Sequence, residues 1–175
     1  MQQVIPLPEA ADYQIQIREK EQKERKEKAD RRPLHKFWES LLVLGEGKTP
    51  LHAKMLPSER RYIGAGVGIS KVGLYYTLLQ HGSRVELYIF RSEAAANKRI
   101  FDELLSHKEE IEAVFGEPLT WNRLDAKKAC LISYEMMFGG YKDDEANWPT
   151  IQMAMIDAMA RFEKALAPFI AKLKT

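Results

Sequence analysis

The sequence predicts an α+β domain: a largely antiparallel sheet of about four or five strands, helices packed on one face, and a long C-terminal helix. Three observations carry that reading. Arg84–Arg91 alternates, with Val85, Leu87 and Ile89 on one side and Arg84, Glu86, Tyr88 and Phe90 on the other. That is the period of a strand with one buried face. Ile100, Phe101, Leu104 and Leu105 then recur at helical spacing, and near the end Met155, Met159, Phe162, Leu166, Phe169 and Leu173 step by fours and threes.

Along the chain, residues 1–8 read as an unstructured lead with Pro6 and Pro8 as breakers. Glu9–Arg32 is helix-prone and heavily charged. After Tyr13, Ile15 and Ile17 it offers no apolar residue until Ala29, so it cannot join a core along its length. It reads as a solvated linker helix held by Glu–Lys pairs. Between Arg18 and Lys36 nine Lys/Arg face five Asp/Glu, a net of +4, which also permits a basic arm. Pro33 is expected to start a new amphipathic helix over 34–44, carrying Leu34, Phe37, Trp38, Leu41, Leu42 and Leu44. Gly45 and Gly47 stop it. The expected organisation is therefore a lead and charged linker helix over 1–32 and one α+β domain over 33–175.

Residues 48–60 read as a loop with Pro50 and Pro57. Gly64, Gly66 and Gly68 in YIGAGVGIS make GxGxG, which is neither a dinucleotide fingerprint nor a P-loop. A strand-like stretch from Gly73 follows it where a phosphate loop needs a helix, so it reads as a glycine-rich or bulged strand. His81-Gly82-Ser83 turns into the Arg84 strand. The helix over 94–115 is expected to break at Ser106, whose spacing to Glu109 fits a capping box. Its second half buries Ile111, Val114 and Phe115. Gly116 ends it and Pro118 prevents continuation. Leu119 and Trp121 open another strand, and Lys127–Met136 forms the next, with Gly139-Gly140 as its exit. Asp143-Asp144-Glu145 reads as helix-start stabilisation before a final helix over 147–172, with Pro149 in its first turn. The heptad-like stripe of that helix reads as a helix lying across the sheet. A dimer seam is the alternative, and Pro168 argues against a long regular coil.

Composition bounds the rest. The chain has 175 residues, 45% hydrophobic, with a formal charge of +2, which neither demands nor excludes nucleic acid. No run of ~18 apolar residues suggests a membrane span, and the N-terminus lacks a signal-peptide pattern. The single Cys130 lies in an apolar alternation and reads as an inert buried thiol; a cytoplasmic location is expected.

No catalytic set emerges. A restriction-type nuclease needs Glu-x-Lys on a strand beside another carboxylate. Glu21/Lys23 and Glu24/Lys26 lie in the charge run instead. His35, His52, His81 and His107 are scattered without metal-ligand spacing. No catalytic residue, metal or cofactor is therefore expected. One surface stands out. Arg84 and Tyr88, with Tyr75 or Tyr76 beside them, share the non-core side of the hairpin. Arg91, Lys98 and Arg99 follow, and Arg60, Arg61 and Lys71 flank the glycine run. Aromatics on a sheet with a basic rim can stack and cradle single-stranded nucleic acid. The competing reading has helices covering that face.

Phe37-Trp38, the VELYI strand, NKRIFDELLSHKEEIEAVFG, the LTW strand and the helix beginning near Trp148 resemble the domain of unknown function 4268 family over about residues 34–172. In that family the domain commonly stands at the C-terminus of prokaryotic proteins, behind a nuclease-like or nucleic-acid-binding module, and some members stand alone. The resemblance implies a DNA-related or defence-related setting and assigns no active-site residues. The expected role is a non-enzymatic accessory domain binding DNA, RNA or a nuclease partner. The alternative is a homodimerisation module using the C-terminal or the charged helix.

Overall fold

Apolar periodicity decides which helix turns dock. The computed structural model describes residues 8–174, of 8–10 and 27–30 the backbone only. Helix α1 spans Pro8–Leu44, about 55 Å at 1.5 Å per residue. Among the described side chains only its last turns are anchored: Leu34, Phe37, Trp38 and Leu41 are buried, while residues 12–26 are exposed throughout. The expected new start at Pro33 is not observed, because Pro33 lies inside one continuous helix. Proline removes a single N–H from the ladder. The docked turns supply the nucleus, and each further residue then adds its own bond. Of the expected unstructured lead, residues 1–7 lie outside the described residues, and Pro8 already belongs to α1. Removing residues 1–26 should shift the melting temperature by less than about 2 °C in a calorimetric scan. A drop of several degrees would show that the projecting helix is docked on something.

Five strands form one sheet in the order β1-β2-β3-β5-β4, with every neighbouring pair antiparallel. They are β1 (Tyr62–Gly66), β2 (Val72–Leu78), β3 (Ser83–Ile89), β4 (Thr120–Asn122) and β5 (Cys130–Met136). Residues directly opposite in an antiparallel pair share a face. One face therefore carries the row Leu74, Leu87, Ile132 and Trp121, and beside it the row Ile63, Tyr76, Val85 and Tyr134. Helices α2 (Ala94–Leu105), α3 (Lys108–Phe115), α4 (Trp148–Leu173) and the base of α1 all pack on this face. Phe101 meets Trp121 edge-on at 6.1 Å, Phe115 meets Tyr134 at 4.9 Å and Phe162 at 5.9 Å, and Trp38 meets Tyr76 at 6.5 Å. The stripe of α4 is used here: Met155, Met159, Phe162 and Leu166 are buried in the core. Leu87, Ile89, Phe101 and Leu104 are buried as expected, while Trp121 is only partly covered. No helix among the described residues is long and apolar enough to cross a membrane.

The break between α2 and α3 falls at Ser106, without the expected capping box. Ser106 keeps helical dihedrals (φ −62°, ψ −19°) and its hydroxyl donates back to the Glu103 carbonyl at 2.6 Å. A helical serine bonds to the turn behind it, not to the N–H groups ahead. His107 occupies the cap position of α3 and stacks on Phe169 at 4.5 Å. Val114, expected inside, is exposed. Gly116 closes α3 in the left-handed region, φ 97°, where a side chain would strain the backbone. Asp144 caps the short 3-10 turn Glu145–Asn147 by accepting from the Ala146 N–H, and Asp143 accepts from the Gly140 N–H, whereas α4 itself has no acidic residue in its first turn.

His52, on the 3-10 turn Pro50–His52, is 1% exposed, and its Nε2 lies 3.1 Å from the Leu74 carbonyl. Burial holds it below its ordinary value of 6.5, against a smaller opposing pull from that carbonyl. Below pH 6.5 the unfolded chain then binds more protons than the folded one. The stability contributed by neutral His52 is complete above pH 6.5 and is lost as pH falls beneath it, at no more than about 1.4 kcal/mol per pH unit. His52→Gln should flatten this part of a plot of melting temperature against pH. An unchanged slope would assign the acid sensitivity to other groups.

Candidate nucleic-acid interface

The other face of the sheet carries no helix among the described residues. Its rows are Tyr62, Thr77, Arg84 and Glu135; Gly64, Tyr75, Glu86, Ser133 and Thr120; and Gly66, Gly73, Tyr88, Leu131 and Asn122. The register settles which tyrosine of the β2 pair faces outward. Tyr75 does, while Tyr76 is fully buried among the helices, where burial pushes its phenol up to about 12.

Four rings run in series across this face. Tyr62 and Tyr75 stand 6.0 Å apart at 72°, Tyr75 and Tyr88 6.2 Å apart at 85°, and Tyr88 and Phe90 4.9 Å apart at 19°. The glycine run makes room for them. A Cβ on Gly64 would stand 2.2 Å from the Tyr75 ring, and one on Gly73 2.9 Å from it. Two missing side chains thus let Tyr75 lie flat across β1 and β2. Of the GxGxG run, Gly64 and Gly66 lie on β1 with a ring seated on Gly64, Gly68 stands in the turn beyond it at φ 90°, and no helix follows to hold a phosphate.

Arg84 and Glu86 join the rings around a groove of about 390 Å³. The Arg84 Nε donates to one Glu86 oxygen at 2.6 Å, and the Thr77 hydroxyl donates to the other at 2.9 Å. Both carboxylate oxygens are engaged, so the guanidinium is held beside the rings through one nitrogen. Its two terminal nitrogens have no protein partner among the described residues. Arg60 reaches the same edge: its Nη1 donates to the Tyr62 hydroxyl at 3.1 Å, and its carbonyl accepts from the buried Trp38 indole at 2.8 Å. Desolvation, then the neighbouring Tyr62, Tyr88 and Glu86, raise the Tyr75 phenol above 10.0, so it stays a hydrogen-bond donor at neutral pH.

The remaining residues singled out in the sequence separate. Lys71 stands in the β1–β2 turn at φ 56°, and its carbonyl accepts from the Phe90 N–H at 2.9 Å. Arg91 and Arg99 lie in a different cleft, beside α2 and the end of α4. Lys98 is no rim residue. Its ammonium donates to the carbonyls of Arg123, Leu124 and Ala129 at 2.5, 2.8 and 3.1 Å, clamping the β4–β5 connection. Arg61 places its guanidinium 5.5 Å from the ring of Tyr141, away from the groove. Sequence reasoning missed Tyr62, Phe90, Glu86 and Thr77 as parts of the site. Parity with Tyr88 along β3 gives Glu86 and Phe90, and parity with Gly64 along β1 gives Tyr62.

Cys130 is fully buried and burial pushes its thiol up, which suits an inert side chain. The Glu-x-Lys pairs at Glu21/Lys23 and Glu24/Lys26 lie on the projecting part of α1. A third, Glu46/Lys48, lies in the turn after α1, so none stands on a strand.

No curated protein and no solved structure matches the chain. A family model does, over residues 34–170, from the first docked turn of α1 almost to the end of α4. That stretch holds the whole sheet, both its faces and the docked helix turns up to Ile170. The chain therefore belongs to the family described as Domain of unknown function (DUF4268).

Proposed function

We propose that this chain is a non-enzymatic accessory domain that binds single-stranded nucleic acid on its open sheet face. The prokaryotic DNA-related or defence-related setting implied by the family resemblance belongs to the same reading. The observation that carries it is the unbroken series Tyr62, Tyr75, Tyr88 and Phe90 on a face with no covering helix. An aromatic ring on a sheet offers a base about 1–3 kcal/mol of stacking with little regard to sequence. A duplex hides its base faces within the stack, so the ligand is single-stranded. Arg84 supplies terminal N–H groups suited to a phosphate or a base edge. Fluorescence anisotropy with oligo(dT), oligo(U) and a duplex at low salt tests this. Tyr88→Ala should weaken single-strand binding by about 1–3 kcal/mol. Arg84→Ala should lower the log–log salt slope by about 0.7. Failure of every oligonucleotide to bind at low salt would sink the reading.

One observation favours the homodimer alternative. Tyr13 and Ile17, one turn apart on the projecting part of α1, are 65% and 38% exposed, with Ile15 between them at 52%. A second copy of the helix would cover them. Light scattering without nucleic acid distinguishes the two readings.

A further inference from the structure

The aromatic groove is poor in charge. Arg60 and Arg84 stand against Glu86, a net of about one positive charge, and one neutralised phosphate gives a salt slope of only about 0.7. Further cations lie round the end of the sheet. Phe90 ends the ring series on the open face. Arg91 is the next residue, and in extended chain the next side chain points to the opposite side. Arg91 and Arg99 line a cleft of about 530 Å³ together with Glu103, two guanidinium groups against one carboxylate. The two sites are joined. Tyr75 and Phe90 line both the aromatic groove and a shallow depression beside Lys71, and Ile69 lines both that depression and the basic cleft. Arg91 is also fixed in place. The buried Asn97 accepts from its N–H and donates to its carbonyl, each at 2.9 Å.

We propose that one nucleic-acid strand occupies both sites: bases stack along Tyr62, Tyr75, Tyr88 and Phe90, and the backbone passes Lys71 so that its phosphates enter the cleft of Arg91 and Arg99. This rests on the open-face reading above and adds a path, a minimum ligand length and a second set of contacts. Charge complementarity selects the occupant. A polyanion that also carries stacking rings satisfies both halves, whereas a neutral or basic peptide leaves the basic cleft without a partner.

The test is length dependence. Oligo(dT) and oligo(U) of about three and about ten nucleotides span the choice between groove alone and groove plus cleft. Wild type should bind the longer strands at least about tenfold more tightly, with a steeper salt slope. The double variant Arg91→Ala/Arg99→Ala should remove that gain and lower the slope for the longer strand by about 1.4, leaving the shorter strand within about twofold. The bonds to Asn97 use the Arg91 backbone, so the variant keeps them; its melting temperature checks the fold. Arg99→Glu, on an exposed helix position, should give the same loss in a single change. If both variants hold the longer strand like wild type while Tyr88→Ala weakens it, the path is wrong and the open face stands. If neither length binds wild type, both fall.

Discussion

Phe101→Ala should lower the unfolding free energy by about 3–5 kcal/mol. Phe101 is 1% exposed and is the side chain through which α2 meets Trp121 on β4. Removing the ring forfeits its transfer energy and leaves a cavity. The walls close only partly, because strand register fixes Trp121 and its neighbours. A loss of that size is a large share of the 5–15 kcal/mol typical of a domain. Urea titration should show a lower midpoint with an unchanged m-value. A cost below about 1 kcal/mol would mean that α2 does not pack as described. Phe101→Leu, which refills most of the volume, should cost much less.

The second large effect is expected at Asn97, 0% exposed in the first turns of α2. Its amide makes three bonds: Oδ1 accepts from the Arg91 N–H, and Nδ2 donates to the carbonyls of Arg91 and Lys128, at 2.9, 2.9 and 3.0 Å. It ties the end of β3 to the start of β5 through the helix between them. Asn97→Ala leaves three main-chain groups without their partner and should cost about 1–3 kcal/mol, with water replacing part of the loss. Asn97→Asp keeps the acceptor but not the donors, so it should not restore stability. Full stability in Asn97→Asp would show that the two donated bonds contribute nothing. Because Asn97 also fixes Arg91, the alanine variant should loosen the basic cleft as well as the fold.

Legibility in the sequence tracked the range of the interaction responsible. The parity of β3, the apolar side of α2, the left-handed Gly116 and the buried stripe of α4 are visible locally, since each follows from spacing within one element. The continuity of α1 through Pro33 was not. A proline reads as a boundary, and only the docked turns beyond it show that one missing bond leaves the helix intact. Ser106 was placed at the break with the wrong bond, because its hydroxyl direction depends on dihedrals that spacing does not contain. Lys98 looked like a rim cation until three carbonyls from a distant loop closed around it.

The candidate site divides the same way. Its aromatic and basic composition, and Arg84 and Tyr88 as neighbours on one strand face, are properties of the sequence alone. Tertiary structure decided that Tyr75 and not Tyr76 stands beside them, because only pairing with β3 sets the phase of an ambiguous Tyr-Tyr run. It also decided that Gly64 and Gly73 seat the Tyr75 ring, that Glu86 orients Arg84, and that Arg91 and Arg99 open a separate cleft. The physical reason is distance along the chain. Periodicity assigns faces within an element, but which faces meet, and which charges neutralise each other across strands, depends on pairings between segments that only the folded sheet brings together.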